Sequence, residues 1–332
     1  MMKQIFSVLL TVAILLTVLC CNAGSGSAES PAALRIVTTV FPEYDWVREI
    51  LGEKFADADV TMLLESGVDL HSYQPTVDDM VKIANCDLFI YVGGESDGWV
   101  EGALKNAVNE NMQVINLLEV LGDSVKEEET VEGMQEEGHG HEEHGDADEH
   151  GEEAEYDEHV WLSLRNAETL VNAISRSLQE LDPDNCGTYA ANTEAYVEKL
   201  SALDAEYQAA VDAASHKTVL FGDRFPFRYL ADDYGLSYYA AFSGCSAETE
   251  ASFETISFLA RKVDELSLPC VLTIEGTQHK IAETIVQNTA AKNQEVLVMD
   301  SMQSITSKDA ASGTTYLSIM EKNLSVLKQA LG

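Results

Sequence analysis

Positive charge is scarce in this 332-residue chain: 20 Lys and Arg stand against 57 Asp and Glu, a formal charge of −37. That imbalance excludes nucleic acid and anionic membrane surfaces as docking partners, since both would repel it. It is compatible with attracting cations, although keeping the chain soluble accounts for most of the charge. Long apolar runs are also missing. Ile5–Leu19, after Lys3, is about fifteen residues, which suits a signal-peptide core better than a spanning helix of about 20. There is no CxxC pair, so the cysteines do not read as a thiolate metal site. HExxH and a Ser nucleophile elbow are absent too, which argues against a hydrolase: catalysis at a metal needs a general base over an open coordination position. The chain reads as a non-enzyme.

What is present begins at the end of that apolar run. Cys20 and Cys21 are followed by Asn22-Ala23-Gly24-Ser25-Gly26-Ser27. An apolar run ending at Cys before a Gly/Ser linker resembles a bacterial lipoprotein signal, in which the Cys becomes the acylated N-terminus. Cys21 is the favoured position, with Cys20 as the alternative; ordinary secretion with a later cut is the simpler reading. All three export the mature chain. Cys86, Cys186, Cys245 and Cys270 remain, and an exported location permits disulfides among them. Four thiols allow three pairings and the spacing selects none, so they read as buried thiols or one bridge.

A hydrophobic content of 45% fits a folded chain with room for two cores. After a signal peptide over 1–21 and a flexible tether over 22–33, short β-branched runs alternate with helical stretches. Leu34–Val40, Val60–Leu64, Leu88–Val92 and Gln113–Leu117 read as buried strands of a first lobe, 34–165. Thr76 with Asp79 three residues on reads as a capping box. Residues 166–213 read as a helical connection whose second helix, from near Thr188, runs about 27 residues, or roughly 40 Å. Alternation then resumes over 214–332. The expected fold is therefore α/β: two β/α lobes with parallel, four-stranded-type sheets, joined by one long rigid helix, with a ligand cleft between them.

One segment breaks the pattern. Asp123–Glu158 is nearly half acidic and poor in apolar residues, and reads as a disordered, solvated insertion outside the core. Four of the eight histidines (His139, His141, His144 and His150) fall in it, interleaved with carboxylates. That composition is metal-binding in character, since several imidazoles can reach one ion; the plain alternative is a solvated loop that happens to contain His. A flexible segment must be ordered at each binding event, so its affinity falls below that of a rigid pocket. Two other histidines stand where the chain leaves structured elements: His71 in Asp69-Leu70-His71-Ser72-Tyr73-Gln74-Pro75, and His159 before Val160-Trp161-Leu162. Taken alone, each is more often a satisfied core or surface histidine.

Taken together with their surroundings, these segments resemble the zinc/manganese-specific solute-binding proteins of ABC importers. Asp69-Leu70-His71-Ser72-Tyr73-Gln74-Pro75-Thr76 resembles the first metal-ligand segment of that family, and Asp157-Glu158-His159-Val160-Trp161-Leu162 with Asn166-Ala167 the second. Phe41-Pro42-Glu43-Tyr44-Asp45, Tyr91-Val92-Gly93-Gly94 with Trp99, and Leu181-Asp182-Pro183-Asp184-Asn185 match further along nearly the whole mature chain. The motifs are modest singly and specific in this order.

The resemblance implies a pocket between the lobes, with His71 and His159 from the first. Val298-Met299-Asp300-Ser301 then makes Asp300 a ligand from the second. At the remaining second-lobe position this chain departs from the family: Arg224 stands where His or Glu is expected, and a guanidinium has no lone pair to give. Asp223 beside it is the candidate; water, Glu275 or His279 are the others, and an Asp223–Arg224 pair is the non-ligand reading. Asp69 and Asp157 are candidate acceptors for the outer imidazole nitrogens.

Two imidazoles with one or two carboxylates suit tetrahedral Zn2+. Mn2+, which prefers oxygen, or iron is the runner-up. The resemblance also implies a monomer that delivers its ion to an ABC permease and its ATPase, lipid-anchored outside the bacterial cell membrane. A surface metal buffer or adhesin would carry the same ligands.

Overall fold

The computed structural model describes residues 33–135, 155–246, 250–276 and 278–332, and Leu34–Gly332 form one unit. Cys20, Cys21, His139, His141, His144 and His150 lie outside the described residues. The first lobe runs β1 (Arg35–Thr38), α1 (Phe41–Leu51), β2 (Asp59–Met62), α2 (Val77–Asn85), β3 (Leu88–Tyr91), α3 (Val100–Leu104), β4 (Gln113–Asn116) and α4 (Leu117–Leu121). Its four strands pair in parallel in the order β2-β1-β3-β4.

Local chemistry sets the boundaries. Pro42 sits in the first turn of α1, where its missing N–H costs nothing, and Gly52 ends that helix at φ 55. Thr76 and Asp79 form the expected reciprocal cap on α2. β1 and β3 are apolar on both faces, as a sheet covered on both sides requires.

Two helices then pack antiparallel: α5 (Leu164–Leu181), capped by Ser163, and α6 (Cys186–Ala213). α6 has 28 residues, so it is about 42 Å long. The second lobe follows as β5 (Thr218–Arg224), α7 (Arg228–Tyr234), β6 (Ser237–Phe242), α8 (Phe253–Leu266), β7 (Cys270–Ile274), α9 (Lys280–Asn288), β8 (Glu295–Met299), α10 (Ser307–Ala311) and α11 (Tyr316–Leu331). Its sheet is again parallel, in the order β6-β5-β7-β8. Among the described residues no helix is long and apolar enough to cross a membrane.

The lobes share a core. One apolar cluster runs from Ile36 through Trp46, Trp161 and Tyr207 to Tyr316 and Leu331. Polar anchors cross inside it. The Tyr316 backbone N–H donates to Asp45 at 2.7 Å, the Tyr316 hydroxyl to the Trp161 carbonyl at 2.7 Å, and the Tyr207 hydroxyl to the Met320 carbonyl at 2.6 Å. The Arg48 guanidinium reaches the carbonyls of Ala310 (3.2 Å) and Thr314 (3.0 Å). Breaking any of these would leave a buried polar group unpaired, at about 1–3 kcal/mol each, so the two lobes are braced along α1, α6 and α11.

The insertion needs correcting at both ends. Its described parts, 123–135 and 155–158, are not a solvated excursion outside the core. Glu127 and Tyr156 form an antiparallel bridge, flanked by hydrogen bonds from Glu128 N to Glu155 O (2.8 Å) and from Asp157 N to Lys126 O (2.9 Å). Met134 is buried, and Gln135 N donates to Ala241 O at 2.9 Å, at the end of β6. The scattered apolar residues Val125, Val131 and Met134 suffice because they pack on a surface already built by the second lobe.

Candidate metal centre

In parallel sheets, loops leaving the carboxyl ends of strands converge on one rim, which is where such folds hold ligands. Here those loops carry His71 after β2, Gly93–Asp97 after β3, Asp223 and Arg224 at the end of β5, Cys245 after β6, Glu275 after β7 and Asp300 after β8. His159 arrives separately, on the turn before α5.

The two histidines meet although 88 positions separate them: their Nε2 atoms are 3.2 Å apart. A tetrahedral zinc ion with Zn–N near 2.0–2.1 Å holds two nitrogens about 3.3 Å apart, so the pair is already spaced for one ion. Each outer nitrogen has a partner. His159 Nδ1 contacts Asp157 Oδ1 at 2.9 Å, and the same oxygen accepts the His159 backbone N–H at 2.9 Å. His71 Nδ1 contacts Ser96 Oγ at 2.8 Å and Glu158 Oε2 at 3.4 Å. With each Nδ1 proton donated to these oxygens, Nε2 is the lone-pair donor. His159 is fully buried and His71 half-buried, so the site opens toward the first ligand segment.

Asp157 therefore has the supporting role expected of it and Asp69 does not. Asp69 caps the His71 backbone N–H at 3.0 Å and pairs with Arg224 Nη2 at 2.6 Å, across the cleft. Burial opposes its charge, yet Arg224 outweighs burial and holds its carboxyl below the usual range. The real acceptors for His71, Ser96 and Glu158, come from distant segments. Glu158 is likewise kept low: burial raises it, but His71 and Ser96 prevail. Gly94 is what lets Glu158 in: its φ is +83° and a Cβ there would lie 2.4 Å from Glu158 Oε1. Behind this layer Asp97 is pushed up to about 7 by burial and by Glu158, and buried Glu43 is raised well above its ordinary value by burial and by Asp97.

The second-lobe candidates are placed differently. Among the described residues one trio has potential ligand atoms all within 4.8 Å of one another: His71, His159 and Cys245. Neither Asp300 nor Asp223 belongs to it. Asp300 Oδ1 accepts the Met302 backbone N–H at 2.8 Å, and burial and Glu275 push this carboxyl up to about 6. Asp223 accepts from Arg224 N (2.9 Å) and Thr273 Oγ1 (2.7 Å); Arg224's guanidinium goes to Asp69 instead, so the Asp223–Arg224 side-chain pair does not form. His279 Nδ1 lies 3.3 Å from Thr273 Oγ1. Glu275 accepts from Ser301 N, Ser301 Oγ and Gln303 N at 2.6–3.1 Å. Asp69, His71, Asp223, Arg224, Glu275 and His279 nevertheless line one cavity of about 510 Å³. Asp300 is tied to the site through its neighbour: Trp161 Nε1 donates to the Ser301 carbonyl at 2.9 Å.

Cys245 is the residue that sequence reasoning missed. All four described cysteines are free thiols, Cys186 is exposed rather than buried, and no bridge joins any of them. Burial, then Asp157 and Glu128, push the Cys245 thiol above its ordinary value. Nothing in the local spacing around Cys245 marks it, because its partners come from the other lobe.

A two-lobed α/β chain with a pair of pre-set imidazoles in the cleft is the architecture of a metal-binding solute receptor. Residues 36–330 match the family of the periplasmic component A of the zinc-uptake complex, and the chain belongs to that family. It is 33% identical over 331 residues to the zinc-binding lipoprotein AdcA of Streptococcus pneumoniae, covering 99% of this chain and 61% of that protein. The chain thus spans about six-tenths of the length of that relative. Against the high-affinity zinc uptake system protein ZnuA of Bacillus subtilis it is 30% identical over 319 residues, covering 96% of this chain and 94% of that one. The Zn(II)-bound ZnuA-like domain of S. pneumoniae AdcA superposes with a TM-score of 0.68 at 29% identity, over 90% of this chain and 99% of that domain.

Proposed function

We propose that this chain captures Zn2+ outside the cytoplasm and hands it to an ABC permease powered by its ATPase. The observation that carries the reading is the 3.2 Å approach of His71 and His159 Nε2, with both Nδ1 atoms anchored. Such a pair costs little to organise when an ion arrives, because the rotamers and tautomers are already set. The carboxylates of Asp157 and Glu158 behind the two imidazoles add a negative field that draws a cation in. Membership of the zinc-uptake family and the zinc named in its relatives support the same cargo.

Asp300 is the carboxylate that would join the ion's shell in this reading, with Asp223 the carboxylate candidate for the position Arg224 cannot fill; either would first leave its present backbone partner. Release then needs only a small displacement of the second-lobe loops, since the braced core resists large lobe rotation. The chain acts as a monomer, tethered by acylated Cys21; His139, His141, His144 and His150 serve as a weaker collecting loop. Competitive chelator titration tests the site. Wild type should hold zinc tightly and His71→Ala should lose at least about a hundredfold in affinity, more than a supporting residue costs. Undiminished binding in His71→Ala would overturn the reading.

A further inference from the structure

Resting on that zinc-capture reading, we propose that the thiolate of Cys245 is a second-lobe ligand to the captured ion, taking in place of Asp223 the position that Arg224 cannot fill, and that it biases the site toward zinc over manganese. Three independent features meet here. The first is distance. Cys245 Sγ and one ring nitrogen from each of His71 and His159 lie within 4.8 Å of one another. Tetrahedral zinc with Zn–S near 2.3 Å and Zn–N near 2.05 Å needs S···N separations of about 3.6 Å, so closure by about an ångström completes a trio.

The second is the way the loop is built. Gly244 presses its backbone on the His159 ring: a Cβ there would sit 3.3 Å from His159 Cε1 and Nδ1 and 3.0 Å from the Phe225 carbonyl. A side chain at 244 would crowd the His159 ring and the Phe225 carbonyl, so the glycine lets the loop that carries Cys245 pass close to the histidine. The loop is also held on both sides, by Cys245 N donating to Glu128 Oε1 at 2.8 Å and by Arg224 Nη1 donating to the Ser246 carbonyl at 3.3 Å. Arg224 thus cannot ligate but does fasten the loop that carries the thiol, and its other arm reaches Asp69 beside His71.

The third is the state of the alternatives. Asp223, Glu275 and Asp300 all accept hydrogen bonds from their own lobe, whereas Cys245 is in no disulfide and its sulfur meets the Glu158 backbone of the other lobe, next to His159. Binding exchanges the thiol proton for the metal: the S–H bond breaks, an S–metal bond forms, and the proton leaves to buffer with no change in oxidation state. Two imidazoles and a thiolate suit zinc, and disfavour manganese, whose preference is for oxygen.

Cobalt(II) loaded onto the purified full chain reports the ligand directly. The expected spectrum has an intense near-ultraviolet thiolate-to-cobalt charge-transfer band. Cys245→Ser should lose that band and about tenfold or more in zinc affinity, while manganese affinity changes little. Cys186→Ser, on the exposed thiol, should keep both. A wild-type cobalt complex without the band, still displaced stoichiometrically by zinc, overturns the proposal while leaving zinc capture intact. A wild type that holds neither cobalt nor zinc overturns the capture reading itself. Because the wild-type spectrum decides the first question, misfolding of Cys245→Ser would not protect the proposal.

Discussion

The two halves of the cleft are prepared to different degrees. On the first-lobe side, His71 and His159 stand 3.2 Å apart with their outer nitrogens fixed by Ser96, Glu158 and Asp157. On the second-lobe side, Asp223, Glu275 and Asp300 are held by Thr273, Ser301 and Met302 of their own lobe. One side is a preset jaw and the other has to exchange internal hydrogen bonds for the ion. In the proposed reading the difference separates affinity from release: affinity in the rigid pair, release in the half that has somewhere to return to.

Substitutions can sharpen or break that contrast. The largest effect should come from His159→Ala, which removes a fully buried imidazole and should cost at least about a hundredfold in zinc affinity by chelator competition. Asp157→Ala leaves the ligand but frees its ring, and should cost about 10–100-fold by the same assay. If Asp157→Ala were neutral, the first half would not owe its readiness to Nδ1 anchoring. Asp300→Asn and Asp223→Asn probe the movable half. Whichever carboxylate joins the ion should lose about tenfold and speed zinc release in stopped-flow chelation, and the other should lose almost nothing.

Arg224→Met uncouples the halves, since it removes the 2.6 Å pair to Asp69 and the bond to the Ser246 carbonyl. Metal-free stability should fall by about 1–2 kcal/mol in urea titration, as the pair is only partly exposed. The smallest effect belongs to deletion of 136–151, which lies between the packed insertion stems. Pocket affinity should stay within about threefold, because the paired imidazoles of His71 and His159 lie outside that segment. A large loss would mean that the loop, and not the jaw, sets the affinity.

The sequence by itself settled the periodic features. Apolar runs bounded by Gly, Pro and capping residues located the four first-lobe strands, and the stretch from near Thr188 marked the long helix, because each is a matter of nearest neighbours along the chain. His71 and His159 were legible as a pair only through the motifs around them. What tertiary structure alone decided were the contacts between segments far apart in sequence. Ser96 and Glu158 took the place expected of Asp69, Arg224 turned across the cleft, the insertion stems packed on β6, and Cys245 arrived beside the histidines. A side chain's partner depends on where the backbone carries it after both lobes have folded. No local rule holds that information.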